Sequence, residues 1–428
     1  MKKLEELIQK LCPNGVEYKP LWSVTIWDKK FNSMDRQKQN RVISYPYLLA
    51  KNLFALEDVG GDVFLLSTGE QTGWTTEEKA GKYLCNGEVV TIPWGKSRPV
   101  KDIIKYYCGK FVTADNRIAT SVNVKILSNK YLYYWMVSQG DIIDTFYRGS
   151  GIKHPDMKKV LEMKIPVPPI EVQEEIVRIL DKFTELTAEL TAELTARKKQ
   201  YEFYRDQLLS FNNITNGGGR YNQLLNCQVK WLRLGDIATE MYRGSGIKRD
   251  QVTQKGVQCV RYGEIYTTYD IWFDRCVSHT NEQTITSKKY FESGDILFAI
   301  TGENVEEIAK SCAYIGNDKC LAGGDIVVMK HKQNPKYLAY ALSTTDAQRQ
   351  KSYGKIKSKV VHASVPSIKS IIIPLPPIDV QAIIVDILDN FHRLVTDISE
   401  GLPAEIEARK KQYEYYRDKL LTFERIAQ

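Results

Sequence analysis

One stretch of the sequence occurs twice, and this duplication constrains the fold more than any other feature. Residues 196–211 read ARKKQYEFYRDQLLSF and residues 408–423 read ARKKQYEYYRDKLLTF, with identity at 13 of 16 positions. Upstream of each copy lies a second matched pair, IPVPPIEVQ at residues 165–173 and IPLPPIDVQ at residues 373–381. A long internal repeat predicts a chain made of two similar halves.

The repeat extends, more weakly, into the rest of each half. Residues 82–95 (KYLCNGEVVTIPWG) align with residues 289–302 (KYFESGDILFAITG), and both keep a Gly-acid turn before an apolar, strand-like run. An Asn/Gly-rich stretch at residues 212–219 separates the halves. The predicted segments are two variable domains at residues 1–164 and 214–372, each followed by a helical spacer at residues 165–213 and 373–428.

Both helical segments carry apolar residues at alternating spacings of four and three, which is the heptad pattern of a helix with a partner. Gly401 and Pro403 predict a break in the second segment, with Pro403 opening a new helix. We expect the two segments to pair as a coiled coil; the alternative is two amphipathic helices buried in separate cores. The predicted seam is Ile176, Leu180, Phe183, Leu190, Leu194, Tyr201, Tyr204, Leu208 and Phe211, then Ile384, Leu388, Phe391, Val395, Ile398 and Leu402.

A four-residue repeat, TELTAELTAELTA, fills residues 184–196 of the first segment. Threonine is a poor helix former, but Ala, Glu and Leu are good ones, and the leucine spacing keeps one face apolar. We therefore predict a rigid helical spacer, with a flexible linker as the alternative.

Composition narrows the class of partner. The formal net charge of +8 favours a polyanionic ligand. No apolar run approaches the roughly 20 residues of a membrane-spanning helix, and the first residues lack the apolar core of a signal peptide. The eight cysteines form no CxxC pair, which predicts reduced thiols in the cytoplasm and no zinc site.

Several stretches resemble catalytic motifs, but most of them lack residues that the motif requires. The Val167-Pro168-Pro169-Ile170 turn lacks the polar and aromatic residues of an adenine methyltransferase loop, so turn prolines explain it better. The GSG stretches at residues 149–151 and 244–246 lack the third glycine of a dinucleotide loop. Asp156 and Glu162 resemble the carboxylates with which many nucleases hold magnesium, but such short acidic patterns are common by chance. We therefore expect no catalytic residue and no metal site in this chain.

The paired IPxPP-x3-Q motifs, the long helices ending in ARKKQYE[FY]YRD and the opening KLEELIQKLCPNGVEYKPL resemble the specificity subunit of type I restriction-modification enzymes. The likeness covers essentially the whole chain. It implies an α+β fold in which two mixed target-recognition domains are separated by two long helices, packed as an antiparallel coiled coil with pseudo-twofold repetition. Each domain would read one half of a bipartite, asymmetric site in double-stranded DNA, and the helices would set the spacing.

The resemblance also implies partners and a cofactor. The helices would seat two copies of a methyltransferase subunit, and a restriction/translocase subunit would join the complex. S-adenosylmethionine is expected on the methyltransferase, with no cofactor on this chain. The alternative is a non-enzymatic helical scaffold that binds other proteins through its variable domains; a steep loss of affinity with salt would distinguish DNA binding from it.

Basic stretches supply the candidate DNA contacts, because Arg and Lys bind phosphates and guanine edges. Residues 347–378 contain no acid, and the letters YRGSGIK occur in both variable regions. The candidates are Lys96, Arg98, Lys101, Arg148, Lys153, Arg243, Lys248, Arg349, Lys351, Lys355, Lys357 and Lys359. The candidates for partner docking, at the helix ends, are Tyr201, Tyr204, Arg205, Tyr413, Tyr416 and Arg417.

The two variable regions differ in charge at aligned positions. Residues 94–98 read WGKSR, whereas the aligned residues 301–305 read TGENV. Because acidic and basic side chains prefer different base edges, the two half-sites should differ in sequence.

Overall fold

The computed structural model of the chain describes residues 2–96, 98–211, 228–355, 360–396 and 401–426. Two compact units make up the chain. Unit 1 comprises Met1–Leu190 and Ile406–Gln428, and unit 2 comprises Thr191–Glu405. Each unit therefore combines the variable region of one half with helical residues from both halves. The separator predicted at residues 212–219 lies outside the described residues.

The described residues of unit 1 form ten strands. These are β1 (Tyr18–Pro20), β2 (Thr25–Trp27), β3 (Val63–Leu66), β4 (Gly73–Thr75), β5 (Cys85–Pro93), β6 (Lys105–Thr113), β7 (Asn116–Ser121), β8 (Tyr147–Arg148), β9 (His154–Pro155) and β10 (Lys164–Pro166). Its helices are α1 (Lys2–Leu11), α2 (Leu21–Val24), α3 (Ala50–Phe54), α4 (Glu77–Ala80), α5 (Asn129–Ser138), α6 (Gly140–Thr145), α7 (Met157–Glu162) and the first part of α8 (Ile170–Ser210). Short 3-10 turns occupy Gly81–Tyr83 and Val100–Asp102.

Unit 2 has more strands. These are β11 (Lys230–Arg233), β12 (Glu240–Arg243), β13 (Val252–Thr253), β14 (Val257–Val260), β15 (Trp272–Phe273), β16 (Ser278–Thr280), β17 (Tyr290–Phe291), β18 (Ile296–Ala299), β19 (Thr301–Gly302), β20 (Ser311–Tyr314), β21 (Cys320–Ala322), β22 (Ile326–Lys330), β23 (Val361–His362) and β24 (Ile372–Leu375). Its helices are α9 (Leu234–Ile237), α10 (Tyr262–Thr267), α11 (Pro335–Ser343), α12 (Thr345–Ser352), α13 (Val365–Lys369) and α14 (Ile378–Thr396), with 3-10 turns at Arg249–Gln251 and Glu282–Thr284. The last helix, α15 (Gly401–Leu420), belongs mainly to unit 1.

The main sheets of the two units share one strand order. Unit 1 has the order β2-β7-β5-β6-β3-β4, and unit 2 has β12-β22-β18-β20-β15. Among the described strands of each main sheet, one pair is parallel and it falls at the same place, β3 with β6 and β15 with β20. Unit 2 adds a second five-stranded sheet, β13-β16-β14-β21-β17. The sequence repeat thus reaches into the variable regions, which keep a common framework and differ in what is added to it.

The central strands of unit 2 are buried on both faces. In β18, Ile296 and Phe298 pack into one core cluster, whereas Leu297 and Ala299 pack into another. Successive side chains of a strand point to opposite faces, so a strand between two cores must be apolar at every position. This explains why ILFA in β18 and IVVM in β22 read as continuous apolar runs.

The glutamine of each IPxPP-x3-Q motif joins the start of a long helix to the variable region. Gln173 is fully buried; its Nε2 donates to the Pro168 carbonyl at 2.7 Å, and its Oε1 accepts from the Ser128 backbone N–H at 2.9 Å. In unit 2, Gln381 Oε1 accepts from the Asn334 N–H at 3.0 Å. The accepted N–H belongs in both units to the N-cap residue of the following helix, α5 or α11. The motif is therefore structural.

Long helices from both halves pack together inside each unit. In unit 1, Phe183 of α8 stacks on Tyr416 of α15 with ring centroids 5.5 Å apart. In unit 2, the ring centroids of Tyr201 in α8 and His392 in α14 are 5.6 Å apart. Residues 184–196 continue α8 without interruption, so the helical spacer is confirmed. The α+β fold with an internal repeat and paired long helices is also confirmed.

The heptad register is wrong at two positions. The heptad pattern predicts Tyr204 and Phe391 on the apolar seam, but both are exposed. The buried positions nearby are Arg205 and Leu209 in α8. The predicted start of a helix at Pro403 is two residues late, since α15 begins at Gly401. Ile398 lies outside the described residues.

Residues after α15 return to the start of the chain within unit 1. The Val16 N–H donates to the Glu424 carbonyl at 2.8 Å, and the Tyr18 hydroxyl donates to the Phe423 carbonyl at 2.9 Å. Leu420 and Leu421 join the same core cluster as Leu4. Unit 1 is therefore closed by residues from both ends of the described chain.

Candidate nucleic-acid interface

A basic loop cluster in unit 1 is formed by the β8–β9 hairpin and the segment after β5. Lys96 and Lys153 form an antiparallel bridge, and Trp94 stacks on His154 with ring centroids 4.6 Å apart. The Arg117 guanidinium lies 3.8 Å from the centroid of the Trp94 ring. Two basic stretches that are distant in sequence are thus brought together.

The members of this cluster differ in exposure. The Lys96 side chain is only 9% exposed and is paired with Asp144, so it fixes the loop and we no longer place it in the DNA interface. Arg98 is exposed beside Glu70. Arg148 is exposed at 3.9 Å from Asp156. Both guanidinium groups are largely exposed, and exposed ion pairs contribute little, so both remain available to a polyanion.

The remaining two candidates of unit 1 are also at the surface. Lys153 is exposed in the hairpin. Lys101 is partly exposed and lies 3.2 Å from Asp141. Neither side chain has a structural task that would keep it from a phosphate.

Sequence reasoning missed a lysine that shapes the neighbouring loop. Lys105 Nζ donates to the Ser67 carbonyl and to the Ser67 hydroxyl at 2.8 Å each, and also to the Gly69 carbonyl. Burial lowers the pKa of Lys105 to about 8. Its three bonds hold residues 67–69 next to Glu70, the partner of Arg98. A lone lysine in a strand gave no signal of this in the sequence.

In unit 2, the strand that follows β18 pairs with a segment near the end of the variable region, as the segment after β5 pairs with the β8–β9 hairpin in unit 1. Strand β19 pairs with β23, where Thr301 Oγ1 lies 3.1 Å from His362 Nδ1. Lys355 Nζ donates to the His362 carbonyl at 2.7 Å. Arg349 is exposed, 3.7 Å from Asp346. Lys357 and Lys359 lie outside the described residues.

Lys351 is not a surface residue. It is 5% exposed, and its Nζ donates to the Leu342 carbonyl at 2.8 Å and to the Ser311 hydroxyl at 3.2 Å. Burial, with the nearby Arg205 cation as a smaller cause, lowers the pKa of Lys351 to about 7. We therefore remove Lys351 from the candidate DNA contacts.

The second copy of YRGSGIK occupies a different structural position from the first. In unit 1 these letters form the β8–β9 hairpin, whereas in unit 2 they run from the edge strand β12. Arg243 pairs with Asp325 at 2.5 Å, and Lys248 is exposed five residues later. The shared letters are not structurally equivalent, although both basic residues of the second copy remain near the surface.

Of the six candidate docking residues on the helices, three are buried, two are half-buried and one is exposed. Arg205 and Arg417 are buried and lie at 2.7 Å and 2.8 Å from the aspartate that follows each in sequence. Tyr201 is buried, and Tyr416 is covered in part by its stacking on Phe183. These residues hold each unit together.

The exposed aromatic residues lie at the neighbouring repeat positions. Phe203 is 63% exposed and Tyr415 is 61% exposed, and the two are equivalent in the duplicated stretch. Each makes an edge-to-face contact with the next ring, Tyr204 or Tyr416, at 5.5 Å and 5.3 Å. Tyr204 is also exposed, whereas Tyr413 is half-buried. The pattern that could have found Phe203 and Tyr415 is the aromatic pair at matching positions of the repeat.

Comparison with known families identifies the repeated architecture. The model of the type I restriction modification DNA specificity domain matches residues 38–197 and again residues 228–408. The chain belongs to this family. Over 309 residues it is 32% identical to the type I restriction enzyme EcoR124I/EcoR124II specificity subunit of Escherichia coli, covering 69% of this chain and 70% of that protein.

A further relative and a solved structure are also similar to this chain. A putative type I restriction enzyme specificity subunit of Haemophilus influenzae is 29% identical over 353 residues, covering 80% of this chain and 84% of the relative. A chain in a solved structure describing complex assembly and conformational transition of the type I R-M system gives a TM-score of 0.57 at 16% identity. That superposition covers 96% of this chain and 98% of the other, and it shows a shared fold.

Features that imitated catalytic motifs have structural tasks in this family member. Asp156 caps α7 by accepting from the Lys159 N–H at 3.4 Å. Pro169 directly precedes α8, as turn prolines do at a helix start. Across the part of the chain that the structure describes, no three His, Cys, Asp or Glu side chains gather as metal ligands would. None of the described helices is long and apolar enough to span a membrane.

Proposed function

We propose that this chain is the non-catalytic, DNA-reading subunit of a cytoplasmic type I restriction-modification complex. Unit 1 reads one half of a bipartite site in double-stranded DNA and unit 2 reads the other. The observation that carries the proposal is the common five-stranded framework with different loops and an additional sheet in unit 2. A shared framework would place both units on the DNA backbone in the same way, whereas their different loops would contact two different base sequences.

The exposed basic residues that remain after the buried ones are removed form the proposed contacts. In unit 1 they are Arg98, Lys101, Arg148 and Lys153, and in unit 2 they are Arg243, Lys248 and Arg349, together with the half-buried Lys355. Arg and Lys side chains at these positions neutralise phosphates and release counterions, so affinity should fall steeply as salt rises. A protein-binding scaffold with apolar interfaces would not show this slope.

Two copies of a methyltransferase subunit dock on the two equivalent aromatic positions, Phe203 and Tyr415, in this proposal. Large exposed aromatic residues at matching repeat positions suit two copies of the same partner. The methyltransferase subunit binds S-adenosylmethionine and carries the chemistry, and a restriction/translocase subunit completes the complex. The domain limits predicted from the sequence, at residues 164, 213 and 372, are retained as part of this proposal.

Methylation mapping tests the proposal directly. The chain is expressed with its methyltransferase partner in cells that lack other methylation, and modified bases are mapped by sequencing. We expect a bipartite site with two different half-sites and an unread gap. Exchanging residues 234–372 for those of a relative should change one half-site only. Methylation without sequence preference would refute DNA recognition, and a perfect palindrome would refute the asymmetry of the two units.

A further inference from the structure

A cleft in unit 2 is lined mainly by residues that the sequence did not single out. Its volume is about 460 Å³, and it opens among the loops after β12, β14 and β21. The residues that matter to the argument are Gly246, Gly263, Gly323, Gly324, Arg249 and Arg261.

The glycines make a wall of bare backbone. A Cβ on Gly323 would lie 2.8 Å from the Val260 carbonyl oxygen, and one on Gly324 would lie 3.1 Å from the Gly246 backbone, so these two allow the loops to close on each other. A Cβ on Gly246 or Gly263 would meet nothing within 4 Å. At those two positions the cleft is open, and a flat ligand can approach the backbone closely.

A buried carboxylate fixes Arg261 at this cleft. The Glu264 side chain is 8% exposed, and its oxygens accept from Arg261 Nε at 3.0 Å, from the Arg261 backbone N–H at 3.1 Å and from the Ser278 hydroxyl at 2.6 Å. With so many donors, Glu264 is held in one orientation and in turn orients the guanidinium. Within the described part of the chain, neither Nη atom of Arg261 has a hydrogen-bond partner.

The two Nη groups of Arg261 present parallel N–H donors in one plane, and they fit a ligand with two acceptors along a planar edge. The O6 and N7 atoms of guanine form such an edge in the major groove. A phosphate offers two acceptors as well. The position favours the base: Arg261 is 33% exposed and held from behind, whereas the neighbouring Lys248 and Arg249 are exposed, as phosphate contacts usually are.

We propose that Arg261 is a specificity-determining residue that reads a guanine in the half-site recognised by unit 2, with Glu264 as its positioning residue. The inference rests on the proposed function, that unit 2 reads DNA. It adds which side chain reads, which base is read, and why the glycine-walled cleft is open.

The decisive variant is Arg261→Lys in the complete complex with the methyltransferase partner. Lysine keeps the positive charge but loses the planar fork that pairs with guanine. Discrimination at one position of the unit 2 half-site should fall on the order of 10- to 100-fold, with the other half-site unchanged. Competition binding with DNAs substituted at each position, and methylation mapping, measure this.

Three variants serve as comparisons. Arg249→Ala should weaken binding to all sequences alike and reduce the salt slope by about one. Glu264→Gln should relax the same base position as Arg261→Lys, because it loosens the guanidinium. Gly263→Ala adds a methyl group in open space on a helix, so it should not lower the melting temperature but should weaken binding of the cognate half-site.

Two results would overturn the inference while leaving DNA recognition intact. One is an Arg261→Lys complex with wild-type selectivity at every position. The other is a uniform weakening across sequences, which marks a phosphate contact. If the wild-type complex showed no preferred sequence, the proposed function would fall and this inference with it.

Discussion

Docking of the methyltransferase partner should depend on two side chains, Phe203 and Tyr415. The perturbation is replacement of each by alanine, singly and together. Both are more than half exposed, they occupy equivalent positions of the duplicated stretch, and each sits on a helix that is otherwise packed into its unit. Truncating them should therefore leave the fold intact while removing apolar area from a docking surface.

The magnitude follows from the exposed area. An aromatic side chain has a surface area of about 200 Å². Roughly 60% of the surface of Phe203 and of Tyr415 is exposed, so a partner could cover about 120 Å² of each. At about 25 cal/mol per Å², covering it is worth about 3 kcal/mol. Since about 1.4 kcal/mol is a tenfold change in affinity, each replacement should weaken its own site about 100-fold.

Isothermal titration calorimetry with the purified partner separates the two sites. The wild-type chain should bind two copies, each single variant should keep one tight copy, and the double variant should bind neither tightly. Glu202→Ala and Glu414→Ala, which are exposed neighbours at equivalent positions, are the matched controls and should bind as the wild type does. Two tight copies on the double variant would refute the reasoning and place the docking surface elsewhere.

Four further changes have defined outcomes. Replacing Arg205 and Arg417 by glutamate should lower the melting temperature of the free chain, seen by calorimetry, because each would set a buried carboxylate beside an aspartate. Gln173→Ala should reduce the free energy of unfolding in urea by about 2–4 kcal/mol, since buried groups lose their hydrogen-bond partners. The folded pKa of Lys351, about 7, is below its unfolded value of about 10.4, so the unfolded state binds more protons between these pH values. The free energy of unfolding of the wild type should therefore rise with pH across that window. Lys351→Met should reduce the difference between the melting temperatures measured at pH 7 and pH 9. Deleting residues 191–194 removes about 6 Å of helix, so methylation mapping should show the unread gap shortened by one or two base pairs with both half-sites unchanged.

The sequence was most informative where a pattern is repeated or periodic. The duplicated stretch predicted the two long helices, and the matching glutamines Gln173 and Gln381 turned out to make matching hydrogen bonds. The heptad rule failed at Tyr204 because a straight helix drifts by about 20° per heptad against a strict seven-residue repeat. Over the length of α8 this drift brings Arg205 to the buried side in place of its neighbour.

Candidate contacts were harder to predict because charge alone does not report burial. Lys351 lies in an acid-free basic run of the kind that is usually solvated, yet its ammonium group donates hydrogen bonds to a carbonyl and a hydroxyl from other elements. Arg261 lies among unremarkable letters, and only tertiary structure brings Glu264, Ser278 and four glycines around it. The two copies of YRGSGIK form different structures, because a short glycine-rich sequence can adopt several turn conformations.

The closure of unit 1 by residues 406–426 bears on the order in which the protein can fold during synthesis. Residues 2–190 leave the ribosome first, but the α15 residues that pack on α8 and the bonds to Val16 and Tyr18 come from the end of the described chain. All residues of unit 2 are available before them. The unit begun first is thus completed last. A message cut short before residue 406 would encode every residue of unit 2 and leave unit 1 without its closing helix.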